Sequence, residues 1–89
     1  MAVYVDDMRA SVGRHIVCHM LADTPAELVA IAAAIGLSPG WRHDDHYDVP
    51  MPQRSLAVAA GAIEVTQREM VRIRRRLRGQ HEAAGGPAR

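Results

Sequence analysis

Hydrophobic and polar positions alternate or recur with clear periods over most of the chain. Ala2-Val3-Tyr4-Val5 is β-branched and aromatic and runs into Asp6-Asp7, which predicts an opening strand ending in two carboxylates. Met8 to Gly13 is polar and broken by Ser11 and Gly13, and is expected to be a loop. His15-Ile16-Val17-Cys18-His19-Met20-Leu21 predicts a second strand. Its alternation puts Ile16, Cys18 and Met20 on a core face and His15, Val17, His19 and Leu21 on the other.

From Asp23 the period changes. Thr24 is the N-cap, Pro25 takes the first helical position and Glu27 lies three residues past the cap, so a helix begins there. Leu28, Ile31 and Ile35 form its apolar stripe, and Gly36 supplies the stop. Ser38-Pro39-Gly40 then breaks the chain, and Tyr47-Asp48-Val49 reads as a short extended piece. Pro50 and Pro52 open a small helix of Leu56, Val58, Ala59 and Ala60, ending at Gly61, and Ile63-Glu64-Val65 links onward. Thr66 and Glu69 form a second capping box, so a third helix starts near Gln67, with Met70, Ile73 and Leu77 as its buried stripe and Gly79 as its expected end. This order predicts an α+β fold in which a small sheet of two or three short strands is covered by about three helices. Residues 1–79 are expected to be one globular domain, and residues 80–89 a disordered tail.

Composition narrows the setting. With 89 residues and 48% hydrophobic content the chain can bury one modest core, and the absence of Phe leaves aliphatic side chains and Met to fill it. A lone Cys18 makes no internal disulfide and no secretory or membrane-spanning segment is recognisable, so a cytoplasmic protein is expected. All eleven cationic residues are Arg, which together with heavy Ala usage reads first as the mark of a GC-rich genome. Residues 1–65 carry four Arg against eight Asp and Glu, whereas residues 66–78 carry six Arg against one Glu. An acidic body thus meets a basic last helix, a distribution that invites homo-oligomerisation as well as an acidic partner.

Several blocks resemble a known family: Val3-Tyr4-Val5-Asp6-Asp7-Met8-Arg9, Cys18-His19-Met20 ahead of Ala22-Asp23-Thr24, Glu27-Leu28 through Ile35-Gly36-Leu37, His46-Tyr47-Asp48-Val49, and Leu56-Ala57-Val58-Ala59-Ala60-Gly61-Ala62. In order and spacing they are similar to a family of short bacterial and phage proteins described as a domain of unknown function, number four thousand and thirty-one. The resemblance spans roughly residues 3 to 70 and implies a compact cytoplasmic protein. It carries no activity, cofactor or catalytic residue with it.

The chemically densest stretch is Trp41-Arg42-His43-Asp44-Asp45-His46-Tyr47-Asp48. In an extended His46-Tyr47-Asp48 the outer side chains share one side and could ligate one ion. Joined by Asp6 or Asp7 and by His19, they would form a site for Zn²⁺, Mn²⁺ or Fe²⁺, or for Mg²⁺ if carboxylates dominate. Such an ion suits metal-assisted hydrolysis of phosphate esters. The competing structural reading has His46 and Asp48 hydrogen-bonding within a loop, Asp48 capping the next helix, Asp6 and Asp7 pairing with Arg9 or Arg14, and His19 as a core or edge histidine. His43, Asp44 and Asp45 are expected to be solvated, Trp41 to lid the core, and Cys18 to be buried and inert. The last helix offers Arg68, Arg72, Arg75 and Arg76 as a phosphate- or protein-binding ridge, with Arg74 and Arg78 flanking it. The sequence therefore favours a non-enzymatic binding module that uses Tyr47 and the Arg ridge against a protein or nucleic acid. A divalent-metal hydrolase with Asp6, His19, His46 and Asp48 is the alternative.

Overall fold

The computed structural model describes residues 2–85. Strand β1 (Val3–Val5) is followed by β2 (Ala10–Val12), β3 (His15–Ala22), α1 (Pro25–Ala34), a 3₁₀ turn (Pro39–Trp41), β4 (Arg42–His43), β5 (His46–Pro50), α2 (Met51–Ala59), β6 (Ile63–Glu64) and α3 (Gln67–Gly85). The class is α+β, as the patterning predicts, but the sheet has six strands rather than two or three. Its order is β4-β5-β3-β1-β6, with β2 also on β3. Only β6 runs parallel to its neighbour, β1, and the other pairs are antiparallel.

The three unforeseen strands have two or three residues each, too few for a period to register. Residues 10–12, expected to be loop, pair with residues 15–17 across a two-residue turn in which Gly13 has φ 59°. A glycine at the first central position is what a tight hairpin of this kind requires. Residues 42–43 pair with residues 46–47 across Asp44-Asp45, where Asp44 takes φ 56°. Asp tolerates that left-handed backbone better than most residues.

β3 is central because it is apolar on both faces. Cys18, Met20 and Ala22 join Val5, Tyr47 and Val49 in a core closed by Leu28, Ala32 and Ile35 of α1 and Ala57 of α2. On the opposite face, Leu21 packs with Met70 and Leu77 of α3, flanked by Tyr4, Val65 and Ile73. The sheet is therefore covered by α1 and α2 on one side and by α3 on the other. Trp41 is partly buried and packs on the first core, as a lid would.

Local signals placed the helices well. Thr24 Oγ1 accepts from Glu27 N at 3.2 Å, and at α3 the box is reciprocal: Glu69 N donates to Thr66 Oγ1 at 3.1 Å and Thr66 N to Glu69 Oε1 at 2.8 Å. After α1, Gly36 at φ 71° lets Leu37 N reach Ala32 O at 2.8 Å and Gly36 N reach Ala33 O at 3.1 Å, the paired bonds of a Schellman close.

Gly79 does not end the last helix, which runs on to Gly85. A glycine costs a helix interior about 1 kcal/mol and does not by itself stop it, and Gln80 to Ala84 are residues a helix accepts. Of the expected tail, residues 80–85 are thus helical, and residues 86–89 lie outside the described residues. No helix among the described residues is long and apolar enough to cross a membrane.

Candidate metal centre

The register of β3 against β5 builds the site. His19 lies directly opposite Asp48, and Met20 opposite Tyr47. Residues directly opposite in a sheet share a face. His19 and Asp48 therefore project to the α3 side together, with His46 two residues before Asp48, while Tyr47 projects into the α1/α2 core. One ligand atom from each of His19, His46 and Asp48 falls within 4.8 Å of the other two. The His19 and His46 rings meet edge to face, with centroids 5.1 Å apart.

Each imidazole is held from behind. Asp6, at the end of β1 and only 1% exposed, places Oδ2 2.8 Å from His19 Nδ1. Its Oδ1 accepts the backbone N–H groups of His19 at 2.9 Å and Met8 at 3.2 Å. Asp45 places Oδ1 3.1 Å from His46 Nδ1. Both rings thus engage Nδ1 with a carboxylate, which leaves Nε2 as the second nitrogen of each ring, an arrangement that metal-ligating histidines also use. His46 Nε2 is 3.4 Å from Asp48 Oδ1, and His43 Nε2 is 3.2 Å from the other Asp48 oxygen.

Electrostatics follow from these contacts. Burial is the largest influence on Asp6 and pushes its carboxyl up. The hydrogen bonds from the His19 side chain and backbone, the His19 charge and the Met8 N–H together outweigh it and hold the group below its usual value. The Asp6 hydrogen bond raises His19, against the opposing effect of burial. Burial also pushes Asp45 up, but Arg74, His46 and Arg78 bring it well below the carboxylate range. Arg74 binds Asp45 with two nitrogens, both at 2.8 Å, and Arg78 Nε reaches it at 3.2 Å. Helix α3 is thereby tied to the turn that carries His46.

The sequence-derived candidates divide. Asp6, His19, His46 and Asp48 meet, with Asp6 behind His19 rather than among the three convergent groups. Asp7 stands apart and accepts the N–H of Gln67 at 2.9 Å at the start of α3. Neither acid pairs with Arg9 or Arg14 among the described residues, and Asp48 does not cap α2, whose N-cap is Pro50 with no side-chain hydrogen bond. Tyr47 is 4% exposed and belongs to the core, so the aromatic recognition surface expected there is absent. Cys18 is buried, and burial with the nearby Asp6 charge pushes its thiol up to about 11.

Asp45 and His43, expected to be merely solvated, are the residues that reading the chain missed. The available signal was a two-residue Asp-Asp turn between short alternating stretches, which would have put His43 opposite His46. The Arg ridge also shrinks. Arg76 lies 3.6 Å from Asp23 and 3.2 Å from the Tyr4 hydroxyl, while Arg74 and Arg78 meet Asp45, so much of the basic helix faces the acidic body of its own chain. Arg68, Arg72 and Arg75 stay exposed on the outer face.

Fold and cluster together define a small α+β protein with two carboxylate-supported imidazoles and a third carboxylate converging on one face of a mixed sheet. Residues 3–77 match the family described as "Protein of unknown function (DUF4031)", and the chain belongs to that family. No curated protein and no solved structure matches it.

Proposed function

We propose that His19, His46 and Asp48 hold one divalent transition-metal ion and that the protein uses it for metal-assisted hydrolysis of a phosphate ester. The observation that carries this reading is the convergence of the three ligand atoms within 4.8 Å while both imidazoles are anchored at Nδ1 by carboxylates. Two imidazoles and one carboxylate suit Zn²⁺, Mn²⁺ or Fe²⁺ better than Mg²⁺, which favours oxygen ligands. Three protein ligands leave coordination positions for water and substrate. A bound water with a pKa lowered to about 7 would be the nucleophile.

Titration of the whole chain with Zn²⁺, Mn²⁺ and Mg²⁺, followed by calorimetry and melting temperature, tests the metal. The expected result is uptake of one equivalent of Zn²⁺ or Mn²⁺ and a weaker response to Mg²⁺. His46→Ala should abolish saturable uptake, and Asp45→Ala should weaken it by about 10–100-fold through loss of the support behind His46. No uptake and no thermal response to any of the three ions would sink the proposal. Metal uptake without turnover of a phosphodiester such as bis(p-nitrophenyl) phosphate would retain the centre and remove the hydrolase.

The exposed row Arg68, Arg72 and Arg75 favours a second reading, a binding module that engages nucleic-acid phosphates or an acidic protein. If all three residues neutralise phosphates, the affinity for duplex DNA should fall with salt at a log–log slope of about −2.7. The triple Arg→Gln variant should lose that slope. Salt-insensitive binding would count against this reading.

A further inference from the structure

A cavity lies beside the proposed metal centre and not within it. It has a volume of ≈ 220 Å³ and sits between the start of α1, the end of β3, the β4–β5 turn and α3. Leu21, Leu28 and Leu77 give it an apolar floor. Its rim is made of guanidinium and carboxylate groups: Arg42, Arg74 and Arg78 against Asp44 and Asp45. Three positive charges face two negative ones, which leaves room for one more negative charge.

These cations are not equally committed. Arg74 spends two nitrogens on Asp45. Arg78 gives Nε to Asp45 and only a long 3.8 Å contact to Asp44, a residue whose side chain is 85% exposed. Arg42 gives Nε to the Asp44 carbonyl oxygen at 3.2 Å and rests over the Tyr47 ring. The terminal nitrogens of Arg42 have no hydrogen-bond acceptor among the described residues, and those of Arg78 have only the weak Asp44 contact. Such groups bind an oxyanion as a fork, with more energy than neutral hydrogen bonds give. The positive end of the α1 dipole at Pro25 adds to the field. The cavity is smaller than the ~300–1,000 Å³ of drug-sized sites, which limits the apolar part of a ligand to about one ring or a short chain.

We propose that this cavity binds a small organic monoanion, its phosphodiester or carboxylate group held by Arg42 and Arg78 and its apolar body laid on Leu21, Leu28 and Leu77. The inference rests on the cavity alone and stands or falls separately from the metal reading. A free inorganic anion would use the rim and waste the floor. A neutral aromatic would do the reverse.

The test is calorimetric titration of the whole chain in excess EDTA with four probes: methyl phenyl phosphate, phenylacetate, inorganic phosphate and benzyl alcohol. Methyl phenyl phosphate or phenylacetate should bind one to one, about tenfold or more tighter than inorganic phosphate or benzyl alcohol, and the tighter of the two identifies the anionic group. Arg42→Gln with Arg78→Gln should weaken that binding by about tenfold or more, the loss expected for charge-assisted hydrogen bonds. Should the double variant melt early, Arg42→Gln alone serves, since its Nε meets only a turn carbonyl. Failure of both organic anions to bind overturns the proposal, as does equal binding of inorganic phosphate or unchanged affinity in the Arg variants.

Discussion

Tyr47→Ala should cost about 3–5 kcal/mol, the range for removing a large aromatic side chain from a core. In an 89-residue chain with an expected stability of roughly 4–13 kcal/mol, that is a large share of the total. Tyr47 stands on β5 opposite Met20 and lies in the core formed with Val5, Cys18, Val49 and the buried face of α1. The chain has no Phe and Trp41 is only partly buried, so Tyr47 is the one aromatic ring fully inside that core among the described residues. A urea melt checks the expectation. A shift within about 0.5 kcal/mol, the usual scale of a surface change, would return Tyr47 to the surface role that its place in the His-Tyr-Asp stretch suggested.

Asp6 should separate folding from the proposed metal binding. Asp6→Ala removes the acceptor of two backbone N–H groups and of the His19 ring, and each buried polar group left unpaired costs about 1–3 kcal/mol. His19 is partly open to water, so a total near 3 kcal/mol is expected. Asp6→Asn keeps a backbone acceptor and the side-chain volume and should cost less. An amide that turns its NH₂ toward His19 Nδ1 requires that nitrogen to accept, which moves the proton to Nε2. Nε2 is the atom needed for a metal. Asp6→Asn should therefore fold and still lose about 10–100-fold in metal affinity.

The same pair sets a pH window in the metal-free protein. The lowered Asp6 pKa contributes stability that is present above the usual value of 3.8 and is lost as pH falls through the folded-state value. The raised His19 pKa contributes stability that is full below the usual 6.5 and is lost as pH rises through the folded-state value. The stability gap between the natural protein and Asp6→Ala should be widest between about pH 4 and 6.5 and should narrow on either side. Denaturant melts at several pH values read it directly, and a gap independent of pH would show that the pair does not titrate as described.

Features that depend on residues a few positions apart were legible in the chain. The two capping boxes, the stop at Gly36, the buried stripe of α3 and the shared side of His46 and Asp48 are all set by neighbouring backbone. They formed where the pattern put them. The stop at Gly79 was the local signal that misled, because glycine permits a helix end without enforcing one.

The meeting of the site residues depends on strand register. Pairing His19 with Asp48 joins residues 29 positions apart, and a slip of one residue would have sent His46 and Asp48 into the core and Tyr47 to the surface. The strands β2, β4 and β6 are too short to announce themselves and exist because β3, β5 and β1 offer them partners. The bond from Asp45 to Arg74 required α3 to cross the same face, which no spacing along the chain encodes. Local patterning set the fold class, the starts of the capped helices and the candidates Asp6, His19, His46 and Asp48. The ladder determined which of them meet, because a sheet places side chains by pairing between distant segments and a helix places them by its own turn.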